Sequence, residues 1–174
     1  MMNQSTLSQM WDMMRQRHGI AMRAIERLPE DKLDSHPIPN MRTPKELVVH
    51  WYGMVIRGIT EGACRGRLEE LDEKGPAAKI KSRAELLNYC RECWDAASKA
   101  ISQMTDEKLA ATVETPWGRT FPGWACLGIT LDESLHHRGQ LYAYLRALGQ
   151  EPPEMWDFAH NAPEYQPRAH AAQA

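Results

Sequence analysis

Apolar residues recur at three- and four-residue steps in four separate stretches of this 174-residue chain, and no other feature narrows its fold as far. The first stretch sets Leu7, Met10, Trp11, Met14, His18, Met22, Ile25 and Leu28 on one helical face, and Pro29 ends it. The second opens at Thr43-Pro44-Lys45-Glu46: threonine caps, proline takes the first helical position, and glutamate completes a capping box. That helix runs from about Pro44 into the mid-60s. Ser82-Arg83-Ala84-Glu85 is a second capping box, followed by a stripe of Leu86, Tyr89, Cys90, Cys93, Ala97, Ile101 and Met104. The fourth helix begins between Phe121 and Ile129, carries Leu131, Leu135, Tyr142 and Leu145, and stops at Gly149 and Pro152-Pro153. The expected fold is all-α, a four-helix bundle.

The connections limit how these helices can be joined. Residues 29–43, 65–81 and 105–121 are long, largely polar stretches, beyond the roughly two to eight residues that link antiparallel neighbours in a bundle. One or more helices should therefore cross over rather than follow simple up-down order. Leu28-Pro29-Glu30-Asp31-Lys32-Leu33 is echoed by Met104-Thr105-Asp106-Glu107-Lys108-Leu109, and each precedes a connection ending in an Arg-Thr pair (Arg42-Thr43, Arg119-Thr120), a faint internal repeat. Ala111 to Glu114 reads as a short extended piece. One domain is expected over residues 1–160, with 161–174 a loose tail.

Composition excludes several classes of function. The 21 basic and 23 acidic residues give a net charge of −2, which offers no electrostatic footprint for nucleic acid. No run approaches the roughly 18 apolar residues of a membrane span, and Asn3, Gln4 and Ser5 do not open a secretory leader, so a cytoplasmic protein is the expectation. The four cysteines (Cys64, Cys90, Cys93, Cys126) are too few and scattered for a disulfide scaffold.

The run Glu133-Ser134-Leu135-His136-His137 carries the most chemistry. Glu133 and His137 stand four apart on one helical face and can chelate one ion, with His136 displaced sideways. His50 lies on the surface of the second helix that also carries Leu47, Met54 and Gly58, so it should point inward. Facing helices can bring two imidazoles and a carboxylate to one metal and leave positions open for water or substrate. The plainer alternative is that each histidine is a hydrogen-bonded core or surface residue, with His136 an outer group or simply exposed.

The string His136-His137-Arg138-Gly139-Gln140-Leu141, continued by Tyr142-Ala143-Tyr144-Leu145-Arg146, Gly149 and Pro152-Pro153, resembles the signature of the DinB-like (DinB/YfiT-type) metalloenzyme family. Arg42-Thr43-Pro44-Lys45-Glu46-Leu47-Val48-Val49-His50 resembles that family's second-helix segment ending in its first metal-binding histidine, and Thr115-Pro116-Trp117-Gly118 the loop before its last helix. The resemblance covers most of the chain. It implies an up-down-down-up four-helix bundle, commonly dimeric, with a divalent metal on three histidines. Carried over by position, the first ligand falls on His50 and the last on His137, while the middle one falls on Glu133. A carboxylate there leaves a recurrent two-histidine, one-carboxylate set for zinc, nickel, iron or manganese. Its extra negative charge should raise the pKa of bound water relative to an all-histidine site.

Two functions follow from this resemblance. One is a metal-dependent enzyme acting on a small molecule, activating water for hydrolysis or a low-molecular-weight thiol for transfer, with His136 the candidate acid or base. The other is a stress-associated bundle that binds metal or ligand without turnover. Cys90 and Cys93 have CxxC spacing but fall on the apolar face of the third helix, where buried small hydrophobes are the simpler reading. Trp51, Trp94, Trp117 and Trp124 could line a pocket or belong to the core. His18 could approach the site or pack in the core, and His160 could fold back on it.

Overall fold

In the computed structural model of the chain, which describes residues 2–168, the Asn3 side chain accepts the Thr6 N–H (2.9 Å) and starts α1, Gln4–Glu26. The second bundle helix, α2, is continuous over residues 44–65 but changes pitch. Pro44–Val49 is α-helical, His50–Gly58 is π-helical and Ile59–Arg65 is α-helical again. The capping box at its start is complete: Thr43 Oγ1 accepts the Glu46 N–H (3.2 Å) and the Glu46 carboxylate accepts the Thr43 N–H (2.9 Å). At its end Gly66 adopts φ +86°, a left-handed stop that suits glycine.

After the short α3, Lys74–Lys79, comes α4, Arg83–Ser102. Its capping box is only half formed. Ser82 Oγ accepts the Glu85 N–H (3.2 Å), but the Glu85 carboxylate turns back to the Lys81 N–H (2.6 Å). A turn of helix, α5 at Asp106–Ala110, leads into the hairpin of β1, Thr112–Glu114, and β2, Thr120–Pro122, paired antiparallel with Val113 opposite Phe121. The last bundle helix is α6, Gly123–Ala147. No helix among the described residues is long and apolar enough to cross a membrane.

α1 and α2 each pack on both α4 and α6, so the chain's first two bundle helices lie across a diagonal, as do its last two. Polar contacts give the directions. Gln4 at the start of α1 bonds Met104 O beyond the end of α4, so those two run antiparallel. Lys45 Nζ reaches Ile80 O, which joins the starts of α2 and α4 and makes them parallel. The Tyr144 hydroxyl donates to Arg42 O (2.6 Å), which sets the end of α6 against the start of α2. The order is up-down-down-up; the second long connection runs the length of the bundle to join the parallel α2 and α4, and the first and third are the diagonal crossings. Each begins with one copy of the echoed segment, a short helical turn (Glu30–Lys32 or α5), and Leu28, Leu33, Met104 and Leu109 are all buried. The faint repeat is thus a repeated way of leaving a bundle helix.

Residues 161–166, placed in the tail by the sequence reading, pack along α1. Arg15 donates to Glu164 O and Gln166 O, and Asn161, buried, donates to Gln16 O (2.8 Å). The strap is thus tied down by an α1 donor to two of its carbonyls and by one side chain that donates back to α1. Residues 169–174 of that tail lie outside the described residues. Gly19 makes room for this strap, since a Cβ there would stand 2.6 Å from Asn161 Cγ and from Tyr165 Cβ. Gly19→Ala is therefore expected to lower stability by about 1–3 kcal/mol and to speed proteolysis beyond Asp157. Melting and cleavage like the parent's would show that the strap is not seated there.

Candidate metal centre

The π-helical stretch begins at His50, and its wider turns bond Ile59 N–H to Met54 O, five residues back. His50 enters the groove between α2 and α6 half-buried, while His137, in the buried stripe of α6, comes from the other side. The two rings meet edge to face, with centroids 4.9 Å apart and planes at 89°.

Each imidazole is oriented by a hydrogen bond at the same nitrogen. His50 Nδ1 donates to Glu73 Oε1 (2.6 Å), since a carboxylate can only accept. Glu73 sits at the start of α3 and is itself paired with Arg42 (3.6 Å). His137 Nδ1 donates to Gln140 Oε1 (2.8 Å), one turn further along α6. Both rings are therefore held in the tautomer whose Nε2 carries a lone pair. His137 Nε2 is buried and has no hydrogen-bond partner. Burial, aided by the neighbouring His50, pushes the His137 pKa below its ordinary value and favours that neutral ring.

Glu133 is the looser member. Its Oε2 stands 3.4 Å from His137 Nε2, and its side chain is 45% exposed. That separation is what two donors keep around one ion when each bond is about 2.1 Å and the geometry tetrahedral. Still, no three His, Cys, Asp or Glu side chains are gathered as a closed ligand cluster among the described residues. The two imidazoles are oriented by their Nδ1 bonds, whereas nothing holds Glu133 against them beyond that 3.4 Å approach. His137 Nε2 thus lies buried and unpartnered beside the Glu133 carboxylate, and both Nδ1 atoms are bonded to outer oxygens.

The other candidates fall elsewhere. His136 is exposed at the rim, its ring 5.1 Å from that of His137. His18 is a core residue, stacked on Trp94, and His160 is exposed and bonded to Asp157 (2.6 Å). Cys90 and Cys93 are buried free thiols, and burial raises both pKa values, that of Cys93 to about 11, which leaves them unreactive. Trp51 and Trp94 are buried, whereas Trp117 and Trp124 are exposed. Of the apolar stripe expected on the fourth helix, Leu145 is buried and Leu131 and Tyr142 pack half-buried against the core, and only Leu135 departs from it. Leu135 faces solvent, and Thr130, Ser134, His137 and Arg138 point inward with Leu127 and Leu141.

Sequence reasoning missed Glu73 and Gln140. Gln140, three residues after His137, shares its helical face and could have been found by that spacing. Nothing local marks Glu73, which reaches His50 only through the path of the 65–81 connection.

Fold and groove together define a helical bundle with diagonal crossings and a histidine pair between its second and fourth helices. Residues 2–168 match the DinB family, and the chain belongs to it. Two Bacillus subtilis structures share the fold. One is the DinB-like protein YjoA, 19% identical with a TM-score of 0.64 over 88% of this chain and 94% of that one. The other is YfiT, described as a probable metal-dependent hydrolase with an unusual four-helix bundle topology, 15% identical with a TM-score of 0.68 over 87% of this chain and 92% of that one. No curated protein matches the sequence.

Proposed function

We propose that this chain is a metal-dependent enzyme in which His50 and His137, each through Nε2, and Glu133, through its carboxylate, hold one divalent cation: zinc, nickel, iron or manganese. The observation that carries the reading is the pair of imidazoles from adjacent helices, each satisfied at Nδ1 by an outer oxygen and free at Nε2. The description of YfiT as a probable metal-dependent hydrolase supports it. Bound there, the cation would supply Lewis acidity to water or to a small thiol. The residues supply the rest. Glu73 and Gln140 fix the ring orientations, Glu133 adds negative charge, and His136 at the rim takes or returns a proton. The substrate is a small molecule, consumed by hydrolysis or by thiol transfer.

One observation favours a second reading, a bundle that binds metal without turnover: Glu133 keeps nearly half of its side chain in solvent and has no hydrogen bond to the histidines. Elemental analysis of tag-free protein separates these possibilities in order. One divalent ion per chain is expected, removable by a chelator and restored by titration. Failure to bind zinc, nickel, iron or manganese at one per chain removes the metal reading. Given the ion, turnover of esters, amides, or a small thiol with an electrophile, lost on chelation, supports the enzyme, and none across that screen supports the binding protein.

A further inference from the structure

His50 is oriented by a residue from a segment that has few ties of its own. The second long connection is fixed at both ends. Leu68, buried, donates its N–H to Glu114 O (2.8 Å), and Ile80, buried, accepts from Lys45 Nζ (3.1 Å). Between these ends residues 69–72 are exposed and without regular structure, and their backbone groups make no hydrogen bond among the described residues. A stretch with its backbone left to water opens at small cost. Two side chains of this segment nevertheless reach the π-helical turns of α2. The Glu73 carboxylate accepts from His50 Nδ1 at their start, and Leu71 lies on Gly58 at their end.

Gly58 matters here for the space it leaves. A Cβ at that position would stand 2.8 Å from Leu71 Cδ1 and 3.6 Å from Met54 Sδ. Leu71 takes that space, and although it is 40% exposed the rest of it is withdrawn from water. It is the one apolar residue in the run Glu69-Glu70-Leu71-Asp72-Glu73-Lys74. Of the four carboxylates in that run only Glu73 has a basic partner among the described residues, Arg42 as well as His50. The others repel one another, so Leu71 supplies the contact that holds the run against α2. Two residues span at most about 7 Å, so with Leu71 seated the Glu73 carboxylate stays near His50. With Leu71 lifted, Glu73 is tied back only by its own polar contacts and from the α3 side.

We propose that Leu71, seated on Gly58, is a positioning residue for the metal centre: it holds residues 69–73 along the π-helical turns, so that Glu73 keeps the His50 Nδ1 proton and leaves Nε2 for the ion. That His50 is a metal ligand rests on the function proposed above; the seat of Leu71 does not. The coupling runs both ways. An ion on Nε2 draws electron density from the ring and makes the Nδ1 proton a stronger donor to Glu73, so metal fastens the segment. By reciprocity a fastened segment binds metal more tightly by the same factor.

Two measurements on the full chain test it: chelator competition for zinc, and trypsin cleavage after Lys74, which is exposed and followed by Gly75, read by mass spectrometry. Leu71→Ser should weaken zinc ~3- to 10-fold although leucine carries no ligand atom, with the melt of the metal-free protein close to the parent's. Leu71→Met, which keeps an apolar side chain, should restore most of the affinity. Zinc should slow cleavage after Lys74 at least ~5-fold in the parent, and without metal Leu71→Ser should be cut several-fold faster than the parent. Parental zinc affinity in Leu71→Ser, or cleavage indifferent to zinc and to Leu71, would overturn the proposal. A parent chain that binds none of the four ions removes the metal reading and this role of Leu71 with it, whereas an ion bound with an affinity indifferent to Leu71 removes the role alone.

Discussion

Replacing His137 with alanine is expected to lower the affinity for a divalent cation at least ~100-fold, a loss separable from the moderate stability the metal-free protein gives up with the buried ring. The two effects separate because of where the bonds of the ring lie. In the metal-free protein Nε2 has no hydrogen-bond partner, so truncation removes only the Nδ1 bond to Gln140 and some packing. The net loss of such a bond is about 1 kcal/mol and the space left by the buried ring adds roughly 1–3 kcal/mol, whether or not metal is present. With metal in ~100-fold excess over Kd, the parent gains about 2.7 kcal/mol that the variant forgoes. Melts with and without added zinc or nickel, together with chelator competition, read both quantities. Glu73→Gln should fall between, weakening the ion about 10- to 100-fold through the orientation of His50. An alanine variant that takes up one ion per chain with parental affinity would remove His137 from the ligand set.

What the sequence disclosed about this site follows from how local each feature is. The caps at Thr43 and Ser82 are readable because a side chain and a backbone N–H three residues on determine them, and even there the carboxylate of Glu85 chose Lys81. The diagonal crossings followed from connection length, since a long polar stretch is hard to reconcile with a tight turn. On α6 the pattern finds Leu145, Leu131 and Tyr142 but not the rest of the inward face, because hydrophobicity marks a core face only where that face is apolar. Thr130, Ser134, His137 and Arg138 place polar groups there, and Leu135 is left outside. Local rules fail most where function displaces packing. The π-helical turns from His50 to Gly58 shifted the four-residue step by which Met54 and Gly58 were aligned with His50. Glu73 and the strap over α1 depend on distant segments meeting, which no window of sequence contains.

Mild acid should destabilise the protein through His18, one of the most enclosed ionisable groups of the bundle. Its ring lies stacked on Trp94 (4.5 Å), with Tyr165 against its edge and the Tyr52 hydroxyl at Nδ1. Burial, with a smaller push from Arg91, lowers its pKa from 6.5 to about 3. The folded protein therefore resists a proton that the unfolded chain accepts. Between those two values the unfolded state binds more protons, so stability is fullest above pH 6.5 and is lost as pH falls toward 3. At 1.36 kcal/mol per pH unit, His18 alone should remove about 2–3 kcal/mol between about pH 7 and about pH 4.5. Burial lowers the His137 pKa too and adds in the same direction in metal-free protein. His18→Gln isolates the larger contribution, because the amide cannot titrate yet can still meet the Tyr52 hydroxyl. Urea denaturation of chelator-stripped protein at both pH values should show the parent losing about 2–3 kcal/mol more than this variant. Equal losses in the two proteins would mean that His18 takes up its proton without unfolding, and that the aromatic enclosure around it opens to water.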